Sequence, residues 1–127
     1  MIDKAMNVLI VDDYKTMLRI VRNLLKQIEF NNVDEASDGS EALSKLRAGN
    51  FGLVISDLNM APMTGLQLLQ EVRADGKLKT LPFIMITAES KSENVVAAKQ
   101  AGVSNYIVKP FNAETLKGKI DKVLGNA

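Results

Sequence analysis

The sequence contains no cysteine and no histidine, and these two absences remove many enzyme chemistries at once. Without cysteine there are no disulfides, no thiolate metal sites and no thiol nucleophile, a condition compatible with a reducing compartment. Without histidine, imidazole acid/base catalysis and imidazole metal ligation are excluded, and the chain cannot itself carry a phosphohistidine. An excess of one charge is also missing. Sixteen basic residues against 15 acidic ones leave a formal charge of +1, which gives no electrostatic case for nucleic acid or an anionic membrane as a partner. No apolar run approaches the roughly 18 residues of a membrane span, and Met1 to Met6, interrupted by Asp3 and Lys4, holds no signal-peptide core. The expectation is a soluble, cytoplasmic chain whose 127 residues form one domain with one ordinary core.

What is present is a regular alternation. Asn7 to Val11 is a compact apolar run ending at Asp12-Asp13, the pattern of a strand buried on both faces. From Tyr14 to Ile28 the period becomes helical: Leu18, Val21, Leu25 and Ile28 share one face, and Lys15, Arg19, Arg22 and Lys26 fill the other. Asn31-Asn32 is expected to break this helix. Val33 to Ala36 reads as a short strand, Asp38-Gly39-Ser40 as a turn, and Ala42, Leu43 and Leu46 as a second helix closed by Gly49-Asn50. Leu53-Val54-Ile55-Ser56-Asp57-Leu58-Asn59 is a third strand running into a turn with Pro62 and Gly65, and Leu66, Leu69 and Val72 mark a helix stopping near Asp75-Gly76. Leu81 to Thr87 is a fourth strand, with Pro82 tolerable at its start. A helix from Glu93 to Ala101 ends at Gly102, Tyr106 to Lys109 is a fifth strand stopped by Pro110, and Asn112 with Thr115 opens a last helix. In that helix Leu116, Ile120, Val123 and Leu124 face inward, leaving Lys117, Lys119 and Lys122 outside. Five strands alternating with five helices predict an α/β fold, a parallel sheet with helices on both faces.

In such folds ligands gather at the carboxyl ends of the strands. The residues delivered there are Asp12-Asp13, Asp57, Thr87-Ala88-Glu89 and Lys109-Pro110. Each has an ordinary reading alone: a helix cap, a strand residue, a solvated amine. Together, three carboxylates, a hydroxyl and an ammonium, each directly after an apolar run, point to a shared site. Carboxylates about 5 Å apart repel by roughly 3 kcal/mol per pair at an effective dielectric near 20, so positive charge must offset them. Lys109 supplies one unit, and an oxygen-only ligand set selects a hard divalent ion, most simply Mg2+, which prefers to share its shell with a phosphoryl group. Asp57, being central, is the best nucleophile candidate, and the Asp12-Asp13 pair is better placed to hold the ion. Thr87 and Lys109 would stabilise phosphoryl oxygens.

This set, at these spacings, resembles the receiver domain of two-component response regulators over the whole chain, residues 1–127, as a single response-regulatory domain with no output domain. Ile20-Val21-Arg22-Asn23-Leu24-Leu25, Phe30-Asn31-Asn32-Val33, Ile55-Ser56-Asp57, Val72-Arg73-Ala74-Asp75-Gly76 and Val108-Lys109-Pro110-Phe111 are similar to the single-domain chemotaxis regulators of that family. The resemblance implies a flavodoxin-like (βα)5 fold with strand order 2-1-3-4-5. It implies that Asp57 accepts a phosphoryl group from a chemotaxis histidine kinase, and that Asp13, Asp57 and the Asn59 main-chain carbonyl hold Mg2+ with Asp12 in support. Thr87 and Lys109 would bind the phosphoryl oxygens. Tyr106 would be the switch aromatic, turning inward as Thr87 moves toward the phosphoryl group; on its own, without the resemblance, it reads as an ordinary half-buried strand tyrosine. Lys109-Pro110 would be cis. Lys91, Lys99, Tyr106, Lys119 and Lys122 would form the face that binds the flagellar motor switch protein, although lysines on such helices also read as a solvated surface. Asn59 and Glu89 would tune dephosphorylation, a phosphatase is a further candidate partner, and the chain would act as a monomer.

The sequence departs from the family pattern at Leu58, at Pro62 in the loop from Met60 to Gly65, and at Asn105 before the tyrosine. Two rivals share the fold class. A magnesium-dependent aspartyl-phosphate phosphohydrolase needs a second aspartate two residues after the nucleophile, and Asn59 cannot transfer a proton there. A flavodoxin-type carrier needs a phosphate cradle after the first strand, where Asp12-Asp13 would repel it. Within the family, the messenger that binds the motor stands against a receiver acting as a phosphate sink or a relay to another partner.

Overall fold

A computed structural model describes residues 4–60, 63–87 and 92–125. Ten elements alternate along the chain: β1 (Val8–Val11), α1 (Lys15–Gln27), β2 (Val33–Ala36), α2 (Gly39–Ala48), β3 (Leu53–Asp57), α3 (Gly65–Ala74), β4 (Phe83–Thr87), α4 (Ser92–Gln100), β5 (Asn105–Val108) and α5 (Ala113–Leu124). The strands form one parallel sheet in the order β2-β1-β3-β4-β5, as the resemblance implied.

Side chains alternate across each strand, so the sheet divides its apolar residues between two cores. Val8, Ile10, Leu53, Ile55, Ile84, Ile86 and Ile107 meet Leu18, Val21 and Leu25 of α1 and Leu116 and Ile120 of α5. Leu9, Val11, Val54, Phe83 and Met85 meet Ala42, Leu43 and Leu46 of α2 and Leu68, Leu69 and Val72 of α3. Strands β1, β3 and β4 are buried throughout, whereas β2 at the edge carries Asp34 and Glu35, which explains why its apolar signal is weak.

Several boundaries differ from the sequence expectation, among them α4, which runs Ser92–Gln100 and not Glu93 to Ala101. Asp38 does not sit in a free turn: its carboxylate accepts the Glu41 N–H, so it is the N-cap of a helix that begins at Gly39. Helix α1 ends at Gln27, before Asn31-Asn32. Glu29 takes φ +74°, its N–H bonding to the Lys26 carbonyl and that of Phe30 to the Leu25 carbonyl. This paired closure is usually made by glycine, and here the burial of Phe30 against the α1 core accompanies it. Strand β4 starts at Phe83; Pro82 precedes it and contributes its carbonyl to Val54 N–H. Strand β5 runs one residue earlier than expected, yet Lys109 still donates its N–H to the Thr87 carbonyl at 2.8 Å. Gly102 at φ +91° closes α4 in the manner of Glu29, and Asn112 caps α5 through Thr115 N–H, both at the expected places.

Candidate functional site

The site lies at the carboxyl end of the sheet because three neighbouring strands, β1, β3 and β4, end there in polar residues. Asp12 follows β1, Asp57 ends β3 and Thr87 ends β4; all three are buried, and Asp13 beside them is exposed. Carboxylate oxygens of Asp12, Asp13 and Asp57 all lie within 4.8 Å of one another. Lys109, directly after β5, places its Nζ 3.1 Å from Asp57 Oδ1. That contact is an ion pair without hydrogen-bond alignment, so Asp57 Oδ1 is buried with a charge beside it and no donor pointed at it. A buried carboxylate oxygen in this condition calls for a further cation or donor.

Electrostatics agree with the geometry. Burial pushes the Asp12 carboxyl from its ordinary 3.8 up to about 6, against the opposing hydrogen bond from Tyr14 N–H; the Asp57 and Asp13 charges push the same way and Lys109 resists. The donor set is entirely oxygen, three carboxylates share one ammonium, and one buried oxygen is unsatisfied. These residues fit a hard divalent cation such as Mg2+.

The backbone around Asp57 is held from behind. Gly65 N–H donates to the Leu58 carbonyl at 2.9 Å. A Cβ on Gly65 would collide with the Asp57 carbonyl and come within 2.9 Å of Leu58 Cα and Met85 Sδ. Glycine is therefore required by close approach. The adjacent helix start is fixed by a capping box, Thr64 accepting from Gln67 N–H while Gln67 accepts from Thr64 N–H. Ser56, fully buried, donates to the Asp57 carbonyl at 3.0 Å. The turn signal at Gly65 was readable in the sequence; its packing role and that of Ser56 were not.

The remaining predicted residues fall in different places. Asn59 follows β3 and is exposed, and the Lys109-Pro110 bond is cis. Tyr106 is half-buried, packed against the α2–α3 core, with Lys119 Nζ 5.3 Å from its ring centroid. Lys99 and Lys122 are exposed on α4 and α5, and none of the described contacts joins them to Tyr106. Glu89 and Lys91 lie outside the described residues.

Comparison with known proteins gives the same picture. The family model for the response regulator receiver domain matches residues 8–121. The chain is 55% identical over 122 residues to chemotaxis protein CheY-3 of Vibrio cholerae, covering 96% of this chain and 94% of that protein. Among solved structures, chemotaxis response regulator CheY4 of Vibrio cholerae superposes with a TM-score of 0.87 at 37% identity, over 94% of this chain and 99% of that one. Response regulator TrrA of Thermotoga maritima, in complex with Mg2+–BeF, has a TM-score of 0.82 at 34% identity, over 94% and 99%. The chain belongs to the response regulator receiver domain family, as a CheY-like chemotaxis response regulator.

Proposed function

We propose that Asp57 accepts a phosphoryl group from a partner histidine kinase in a magnesium-dependent reaction, and that the resulting change at Thr87 and Tyr106 controls binding to the flagellar motor switch. The observation that carries this reading is the crowding of three carboxylates within 4.8 Å around one ammonium, with a buried Asp57 oxygen lacking a donor. Asp12, Asp13 and Asp57, with the Asn59 main-chain carbonyl, would hold Mg2+; when bound, the ion neutralises charge on phosphoryl oxygens. The complex of the Thermotoga maritima relative with Mg2+–BeF supports the same ligand chemistry here.

The chain's own residues have distinct tasks. An Asp57 carboxylate oxygen forms the bond to phosphorus as the donor's P–N bond breaks, leaving the electron pair on the imidazole nitrogen. Lys109, already beside Asp57, takes up the phosphoryl charge, and the Thr87 hydroxyl binds a phosphoryl oxygen. Phosphorylation replaces one negative charge by roughly two at a buried point beside Lys109, at the carboxyl ends of β3 and β4, so its output is conformational. Asn59 carries no transferable proton where a hydrolase would keep an acid, which favours a phosphoryl group that persists.

Incubation with acetyl phosphate and Mg2+ is expected to label Asp57, and Asp57→Asn to abolish the label, read by intact-protein mass spectrometry. Label surviving in the variant removes Asp57 as the acceptor. Titration of the phosphorylated and unmodified forms against the motor switch protein's terminal segment then separates the outputs. Tighter binding by the phosphorylated form supports a messenger, and equal binding or none assigns the chain to a phosphate sink.

A further inference from the structure

The two free edges of the sheet carry one device in two strengths. On β2, Val8 N–H bonds to the Asn32 carbonyl and Asp12 N–H to that of Ala36, so by alternation Glu35 faces the open edge. Its N–H is covered by the preceding Asp34 carboxylate at 2.8 Å. Lys45, from the following helix α2, pairs with that carboxylate at 3.2 Å and donates to the Glu35 carbonyl at 2.6 Å. On β5, Lys109 N–H bonds to the Thr87 carbonyl, so by the same alternation Tyr106 faces the open edge. Its N–H is covered by the preceding Asn105 side-chain oxygen at 2.8 Å, and Lys119 from the following helix α5 reaches that oxygen at 3.5 Å.

The difference between the edges is chemical. Asp34 gives Lys45 a full counter-charge, whereas Asn105 offers Lys119 a neutral amide at the long limit of hydrogen bonding. Lys119 makes up the difference with the Tyr106 ring, its Nζ 5.3 Å from the centroid, within range of a cation–π attraction. To do so it reaches around the edge of the sheet: α5 packs in the core that contains Ile107, while Tyr106 packs against the core on the other face.

We propose that Asn105 and Lys119 are positioning residues for Tyr106. The amide steers the ammonium onto the ring, and the ammonium holds the ring in the position seen here. Turning of Tyr106 and release of the Lys119 charge from the ring are then a single event. This inference rests on the reading of Tyr106 as the switch residue given above.

The chain has two tyrosines and no tryptophan, so Tyr14→Phe leaves Tyr106 as the single phenol for NMR. In the unmodified protein, the Lys119 ε-methylene protons are expected upfield of their usual position through the ring current, with the displacement lost in Tyr106→Leu and reduced in Asn105→Ala. Titration with beryllofluoride and Mg2+, followed by the Tyr106 ring signals, is expected to show a midpoint about two- to fivefold lower in Lys119→Met, the equilibrium factor of a cation–π contact at a half-exposed ring. Lys119→Arg is expected to restore the original midpoint, and thermal melts check that each variant is folded. Lys119 protons at their usual position, or equal midpoints for folded Lys119→Met and the parent, overturn the proposal. If beryllofluoride perturbs no signal at Asp57 in the parent, the phosphoacceptor reading fails instead, and the ligand-free displacement still decides whether Lys119 holds the ring.

Discussion

At the amino end of the sheet the polar groups described are matched. Asn7 donates its side-chain amide to the Asn50 carbonyl and accepts Gly52 N–H on its main chain, and Asn32 donates to the Ala5 carbonyl while accepting Val8 N–H. At the carboxyl end the same strands terminate in like charges within 4.8 Å of one another, with an unsatisfied buried oxygen and a carboxyl driven toward neutrality. Both ends belong to one continuous sheet whose central strands are buried and in register, so the crowding at the second is not a symptom of poor folding. The packed remainder of the fold offsets it, and unrelieved crowding of buried polar groups marks a candidate functional site.

The sharpest way to break the contrast is to disturb the backbone that holds the strained end. Gly65→Ala is expected to cost about 3 kcal/mol in urea unfolding, because the added methyl meets main-chain atoms of Asp57 and Leu58 that cannot swing away. An unchanged midpoint would mean that Asp57 is not clamped from behind. The next effect comes from charge. Asp12 has a folded pKa of about 6 against an ordinary 3.8, so the penalty of its ionised form is fully present above pH 6 and is relieved as pH falls from 6 toward 4. The metal-free protein is therefore expected to gain about 1–2 kcal/mol between pH 7.5 and pH 5. Asp12→Asn is expected to carry that gain at both pH values and flatten the profile; a parent whose stability falls over this range would contradict a strained carboxyl end. The smallest effect belongs to the matched end. Asn32→Ala is expected to lose about 0.5–1 kcal/mol through one exposed amide bond, leaving Asp57 labelling unchanged. A change in labelling would show that the two ends are coupled.

Much of this arrangement was legible in the sequence because burial writes itself into composition. The runs before Asp12, Asp57 and Thr87 are apolar on both faces, so the strands and the residues at their ends could be read together. Strand β2 was weakly marked for a physical reason, since Asp34 and Glu35 serve an exposed edge. Asp38 departs from the expected turn because an aspartate before glycine suits both a turn and a helix N-cap. Glu41 three residues later was the available signal: its N–H bonds to Asp38 and its carboxylate reaches back to Ser37 N–H. The end of α1 at Glu29 had no such signal, because glutamate has no special taste for positive φ. Pairings between distant residues, Lys119 with Tyr106 and Asn105 or Lys4 with the Ile28 carbonyl, leave no trace in any local window.

The alternation of the strands has a final consequence. Asp57 has the parity of Leu53 and Ile55, which face the α1–α5 core, whereas Thr87 has the parity of Phe83 and Met85, which face the α2–α3 core against which Tyr106 packs. The sheet is thus a septum one backbone thick, with the Asp57 carboxylate registered to one side and the tyrosine to the other. A disturbance at Asp57 has to pass through the plane of the sheet to reach Tyr106, and Thr87 stands at the doorway, on the tyrosine's side and at the carboxylate's end. A shift of β4 by a single residue would turn that doorway to face the wrong room.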